Sequence, residues 1–165
     1  KSQQKMCVAA MEAFNAPYSM MLKEIDTIGM YDSAAEDMGK IFVSTELGGG
    51  GSSTARSVAI AKKGVANVLR HAGIMNGDPE IEASVKLDVP SDDCFIIAEN
   101  SGLLEMCVDL GEKVKKGQTV ARVHDIERTG VDAIPYTSKM DGILAGRHFP
   151  GLIGTGDCMA VVAIL

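Results

Sequence analysis

The chain has 165 residues, 46% hydrophobic and 23% charged, with 18 glycines, 5 prolines, no tryptophan and a formal net charge of -6. This composition excludes a disordered, collagen-like or coiled-coil chain, and no apolar run approaches the ~18 residues that a membrane span needs. The length suits one ordinary domain, or one and a fraction.

Charge is unevenly placed. Residues 1–75 carry 8 Lys and Arg against 7 Asp and Glu, while residues 76–165 carry 8 against 15. The break suggests two structural units, 1–75 and 76–165. An acidic second part lacks the clustered basic footprint of a nucleic-acid partner. Lys1 rather than Met opens the chain, and no basic-then-apolar signal segment follows. A soluble, cytoplasmic protein is expected, with its natural start elsewhere, and neither membrane nor nucleic acid as a partner.

In chain order, Cys7, Val8, Met11 and Phe14 recur at helical spacing, so residues 4–14 are expected to form a helix ended by Asn15-Ala16-Pro17. Residues 18–22 are expected to form a short buried strand, and 27–29 a turn. Residues 33–38 suit one or two helical turns, capped by Asp32 and stopped by Gly39. Residues 40–47 are rich in β-formers and predict a strand. Gly48 to Gly51 break it, and Ser52, Ser53 or Thr54 then caps a long helix. Val58, Ala61, Val65, Val68 and Ala72 give that helix its apolar face, and Gly73 its end. Met6, Met11, Met20, Met21, Met30 and Met38 are expected as core fillers.

After Asn76-Gly77-Asp78-Pro79 helical periodicity disappears. Short β-like segments alternate with turn signals over 82–89, 94–98, 103–110, 119–124, 131–136, 142–145 and 158–164, which predicts a compact all-β unit. The first part alternates strand and helix, as an α/β layer does. It is too short for a whole α/β domain, and its sheet edges and apolar faces would stay uncovered.

Cys7, Cys94, Cys107 and Cys158 are scattered, without a C-x-x-C, and are expected to be buried thiols in a reducing cytosol. The three histidines, His71, His124 and His148, form no metal-binding spacing and are assigned surface or capping roles. No metal ligands are therefore assigned within the chain.

The chemistry lies in Phe42-Val43-Ser44-Thr45-Glu46-Leu47-Gly48-Gly49-Gly50-Gly51. A carboxylate ends an apolar strand just before a glycine turn, at the strand end where α/β sites lie. Burial there would raise a Glu pKa toward the range useful for proton transfer. The structural alternatives are a Glu that caps the next helix or pairs with Arg56. The glycines match neither a P-loop nor a complete dinucleotide-binding unit. They either offer N–H groups to an anion or simply let backbone pack closely.

In the second part, residues 109–123 place two strands around a turn with a glycine at each end, and related glycine blocks follow at 138–144 and 154–161. This pattern resembles the barrel-sandwich fold of biotinyl and lipoyl carrier domains. The stretch where those domains present a modifiable lysine, 125–129, has none here, and Lys139 stands elsewhere. The resemblance supports the fold and argues against a carrier role.

Taken together, Ala13-Phe14-Asn15-Ala16-Pro17-Tyr18, the Ser44–Gly51 block, the helix from Ala55 to Ala61 and the β-rich second part resemble the succinylglutamate desuccinylase/aspartoacylase family, in particular its deacetylase branch acting on N-acetyl-diaminobutyrate. The resemblance implies the C-terminal part of a zinc-carboxypeptidase-like α/β domain followed by an all-β barrel-sandwich-like domain. It implies a zinc-dependent deacylase of small N-acyl amino acids in which Glu46 handles the attacking water and protonates the leaving amine. Arg56 and Tyr136 become substrate-binding candidates. The family's H-x-x-E and later His precede that Glu, and here no His precedes Glu46. The chain is therefore expected to be the second half of a longer enzyme, to need the missing N-terminal half as partner, and to be inactive alone. Homo-oligomerisation is compatible with this. The competing expectation is a non-catalytic binding or assembly module.

Overall fold

The computed structural model describes residues 2–22 and 30–165. Three helices come first: α1 (Ser2–Phe14), α2 (Tyr31–Asp37) and α3 (Ala55–His71), with strand β1 (Tyr18–Leu22) between the first two. Nine strands follow: β2 (Val85–Val89), β3 (Phe95–Ile97), β4 (Gly102–Met106), β5 (Lys113–Val114), β6 (Thr119–His124), β7 (Ile134–Thr137), β8 (Gly142–Arg147), β9 (Leu152–Ile153) and β10 (Cys158–Ala163). The mixed helix-and-strand order with antiparallel sheets is the expected class. β1 pairs with β2 in a two-stranded sheet. The chain divides into two compact units, one of residues 1–19 and 24–86, the other of residues 20–23 and 87–165.

In the first unit, α1 and α3 pack through small residues. Gly64 sits under the Phe14 ring, and a Cβ there would lie 2.4 Å from Phe14 Cζ. Asn15, at φ 58, ends α1. Its amide donates to Glu82 O at 2.9 Å, and its Oδ1 accepts from Glu82 N at 2.8 Å and from Lys63 Nζ at 3.2 Å. Asn67 repeats the device one helical stretch on: fully buried, it donates to Glu80 O at 2.9 Å and accepts from Glu80 N at 2.7 Å. Two amide side chains thus hold the segment before β2 against the helices by satisfying backbone groups that no ladder serves.

Several expectations for this unit need correction. The buried face of α3 is Ser57, Gly64 and Asn67, not the valine stripe; Val58 and Val65 are 43% and 54% exposed. Residues 40–47 form no strand, because among the described residues nothing pairs with them. α2 begins at Tyr31 with Met30 as its N-cap, and Asp32 instead accepts from Ser33 N at 2.7 Å within the first turn. β1 forms, but only Ser19 in it is buried. Met6, Met20, Met21, Met30 and Met38 are exposed rather than core. The turn expected at 27–29 lies outside the described residues. Among the described residues the buried apolar side chains here are Ala10 and Ala13, and no large side chain is among them.

The second unit is built differently. One four-stranded antiparallel sheet runs β3-β10-β8-β5 and another β7-β6-β4-β9. Val120 and Val123 of β6, Leu144 of β8, Ile153 of β9 and Met159 and Val162 of β10 meet in one apolar core between the two sheets. A smaller core gathers Leu87, Val89, Cys94, Ile143 and Ala163. The β-like segments expected between turn signals lie where these strands form, and β6, β8 and β10 each bury consecutive residues. Three turns share one device. In Asp109-Leu110-Gly111-Glu112, Lys115-Lys116-Gly117-Gln118 and Gly154-Thr155-Gly156-Asp157, the fourth residue's N–H donates to the first residue's carbonyl at 3.0 to 3.1 Å. Its side-chain oxygen accepts from the first residue's N–H at 2.8 to 3.1 Å. Each third residue is a glycine with positive φ, as such turns require.

Among the described residues no helix is long and apolar enough to cross a membrane. All four cysteines are free thiols; Cys94 is buried as expected, whereas Cys107 and Cys158 are exposed.

Asn67→Ala should leave the Glu80 N–H and C=O without partners inside the first unit. A loss of about 1–3 kcal/mol is expected. It should appear in hydrogen exchange as faster opening of α3, with the β10 amides unchanged; equal loosening of both units would contradict the division described here.

Candidate functional site

The turn after residue 47 is built by its glycines. Gly48, Gly50 and Gly51 adopt φ of 94°, 63° and 65°, a region that side chains with a Cβ avoid. Ser52 closes the turn: its N–H and hydroxyl both donate to Gly49 O, at 3.3 and 3.1 Å. Thr54 then caps α3. Its Oγ1 accepts from Ser57 N at 3.0 Å, while Ser57 Oγ accepts from Thr54 N at 2.9 Å, a reciprocal capping box.

Glu46 stands at the end of the segment that enters this turn. The helix cap belongs to Thr54, so the structural alternative of a capping Glu is removed. Among the described residues Glu46 forms no ion pair with Arg56, and neither side chain enters a hydrogen bond. Both are exposed. The burial expected around Glu46 is therefore not found among the described residues. What remains is an uncommitted carboxylate on a rigid turn, with the Arg56 cation in the first turn of α3.

Tyr136, in β7, meets a different geometry from that expected. Its ring is buried in the core of the second unit. Its hydroxyl accepts from Glu99 N and Asn100 N, both at 3.0 Å, and donates to Asn100 Oδ1 at 2.9 Å. The proton and both lone pairs are used, so the hydroxyl holds the turn between β3 and β4 and has none left for a ligand. Beside that turn lies a cleft of about 210 Å³ lined by Glu99, Asn100, Asp125, Arg128, Asp132 and Thr155, among others. The Arg128 guanidinium, joined by backbone N–H groups of residues 127 and 128, holds the Asp125 carboxyl below the usual carboxylate range. Sequence reasoning missed this cleft, because its lining comes from three separate loops with no motif.

The histidines are dispersed. His71 lies in the last turn of α3, where a cation suits the dipole. His124 Nε2 is 2.6 Å from Glu105 Oε2, and Arg122 donates to the other oxygen of that carboxylate at 2.9 Å. These two partners, His124 foremost, hold the Glu105 carboxyl below its ordinary range. His148 Nε2 lies 3.1 Å from Leu152 O. Among the described residues no three His, Cys, Asp or Glu side chains converge as a metal site would require. The described donors therefore do not by themselves fit a zinc ion.

With this geometry in view, comparison with known proteins defines the class. The family model described as "Succinylglutamate desuccinylase/Aspartoacylase catalytic domain" matches residues 1–72. Over those residues the chain is similar to that family.

More particularly, it is similar to the N-alpha-acetyl-L-2,4-diaminobutyric acid deacetylase of Halomonas elongata, with 44% identity over 163 residues, which is 98% of this chain and 48% of the relative. Among solved structures it is similar to the product-bound ectoine utilization protein EutE (DoeB) of Ruegeria pomeroyi, with 56% identity and a TM-score of 0.96 over 100% of this chain and 50% of that one. A succinylglutamate desuccinylase from Silicibacter sp. TM1040 is 55% identical, with a TM-score of 0.91 over 99% of this chain and 50% of that one. The chain thus spans about half the length of the relatives it matches.

Tyr136→Phe should free the two N–H groups at residues 99 and 100 and lower the stability of the second unit by about 1–3 kcal/mol. Chemical denaturation followed by a probe in the β unit checks this; unchanged stability would show that the hydroxyl does not anchor the turn.

Proposed function

We propose that this chain supplies the Glu-bearing half of a zinc-dependent amidohydrolase that removes the acyl group from a small N-acyl amino acid of the N-acetyl-diaminobutyrate kind. The observation that carries this is the 44% identity to a deacetylase along nearly the whole chain. The end of the family match at residue 72 supports assigning residues 1–75 to the catalytic α/β domain of zinc-carboxypeptidase-like type. Residues 76–165 then form the β domain, of barrel-sandwich type. Its two sheets closed over one core support that assignment.

In this proposal Glu46 is the general base and then the general acid. Its carboxylate takes a proton from the water that attacks the acyl carbonyl. The same proton passes to the amine nitrogen as the C–N bond breaks, giving a free amine and a carboxylic acid, which then loses its own proton to solvent. Such proton transfer contributes about 10²–10⁴-fold in rate. The uncommitted state of Glu46 suits that role, since no helix cap or ion pair has to be broken first. Arg56 supplies a cation to orient the substrate carboxylate. Tyr136 acts at one remove, by setting the turn at 99–101. Zinc ligands would come from the half of the relatives that this chain does not span, and a cytoplasmic location agrees with four free thiols.

In a polypeptide carrying this segment together with that other half, Glu46→Gln should lower kcat by about 10²–10⁴-fold with zinc content retained. Unchanged turnover would favour the non-catalytic module. Residues 1–165 alone should neither bind stoichiometric zinc nor hydrolyse an N-acyl amino acid, and either activity would overturn the assignment of the ligands.

A further inference from the structure

The cleft beside the Tyr136 turn takes no part in the proposed deacylation. It measures about 210 Å³ and opens between the β3–β4 turn, the β6–β7 loop and the β9–β10 turn. That is below the roughly 300 Å³ at which pockets for drug-sized molecules begin, so it suits a ligand of few atoms. Its walls are fixed by backbone contacts. Glu99 N donates to the Tyr136 hydroxyl at 3.0 Å, and Glu99 O accepts from Thr155 Oγ1 at 3.3 Å. In the β6–β7 loop Asp125 Oδ1 accepts from Glu127 N and Arg128 N, at 2.9 and 3.1 Å.

The charges in the cleft are unbalanced. Asp125 Oδ2 accepts from Arg128 Nε at 2.7 Å, so these two neutralise each other and the guanidinium is aimed from within its own loop. Among the described residues the terminal nitrogens of Arg128 enter no hydrogen bond or ion pair. The same holds for the carboxylates of Glu99 and Asp132, which line the same cleft. Two uncommitted carboxylates and one set of spare guanidinium donors therefore surround a space with Val123, Val131 and Ile134 as its apolar side.

We infer that this cleft is a binding site for a small diamino acid. Two ammonium groups answer Glu99 and Asp132, and one carboxylate answers Arg128, whose planar fork suits a carboxylate. A short aliphatic stem lies along the valine and isoleucine side chains. An amino acid with one ammonium would leave a carboxylate of the cleft without a partner, and a diamine would leave Arg128 without one. The inference stands on these residues alone. A diamino acid is also the amine that the proposed deacylation would release, so the cleft would sense product; only that link rests on the reading given under the proposed function.

The test is a titration of residues 1–165 with L-2,4-diaminobutyrate at low ionic strength, followed by amide chemical shifts. Saturable shifts are expected at 99–101 and 125–134, with a dissociation constant of about 10 mM or tighter, as a few exposed ion pairs support. Glu99→Gln and Asp132→Asn should each weaken binding about two- to fivefold, and 2-aminobutyrate, which lacks the second ammonium, should bind more weakly by a similar factor. Arg128→Gln should weaken diaminobutyrate but leave 1,4-diaminobutane, which has no carboxylate, unchanged. Unaltered β10 shifts would show that each variant still folds, and if Arg128→Gln does not, the two carboxylate variants decide. No saturable shift, shifts confined to other segments, Glu99→Gln and Asp132→Asn binding as well as wild type, or 2-aminobutyrate binding as tightly as diaminobutyrate would each overturn the inference. The two proposals fail separately. Binding in the cleft, with no hydrolysis of an N-acyl amino acid by the polypeptide carrying both halves, would sink the deacylase reading and leave the site standing. Turnover without binding in the cleft would do the reverse.

Discussion

Backbone polar groups must be paired wherever a strand is to persist, and the two units of this chain stand on opposite sides of that requirement. In the β unit every sheet finds its partners within the chain. β10 lies between β3 and β8, β6 between β4 and β7, and the two sheets close on Leu144, Met159, Val120 and Val162. In the first unit residues 41–47 find no backbone partners among the described residues. The apolar face of α3 is left uncovered, and the helices are held by Asn15, Asn67 and the close approach of Phe14 to Gly64. Hydrophobic burial is the main source of folding free energy, and in the described residues that burial of large side chains is concentrated in the second unit.

Glu46 sits where the two conditions meet. On its C-terminal side the glycine turn and the Thr54–Ser57 box fix the entry to α3. On its N-terminal side the chain is unpaired. Among the described residues the position of the carboxylate is therefore set from one side only, and Glu46 is exposed. A carboxylate that is to act as a proton carrier near neutral pH needs partial removal from water.

Much of the β unit was legible in the sequence. Its strands lie in the β-like segments between turn signals, and its turns follow a glycine at the third position with Glu, Gln or Asp at the fourth. The two-residue strands β5 and β9 were not legible, since two residues carry no period. A cap among Ser52, Ser53 and Thr54 and the Gly73 stop of α3 were readable from local chemistry; that Thr54 takes the cap was not. The buried face of α3 was not, because its buried residues are Ser57, Gly64 and Asn67, set by the Thr54 cap, the Phe14 ring and the Glu80 backbone rather than by apolar periodicity. The strand expected at 40–47 fails for the same reason: propensity names a strand, but only a neighbour makes one. Tyr136 was picked out by resemblance, and its saturated hydroxyl could be seen only once the turn at 99–101 was placed beside it.

Amide hydrogen exchange on the 165-residue chain alone tests this contrast most directly. Amides of β6, β8 and β10 should be protected to the level of global unfolding, while those of residues 41–47 should exchange at close to the rate of an open chain. Protection of 41–47 comparable to that of β10 would contradict the picture of an unpaired strand and, with it, the incompleteness of the first unit.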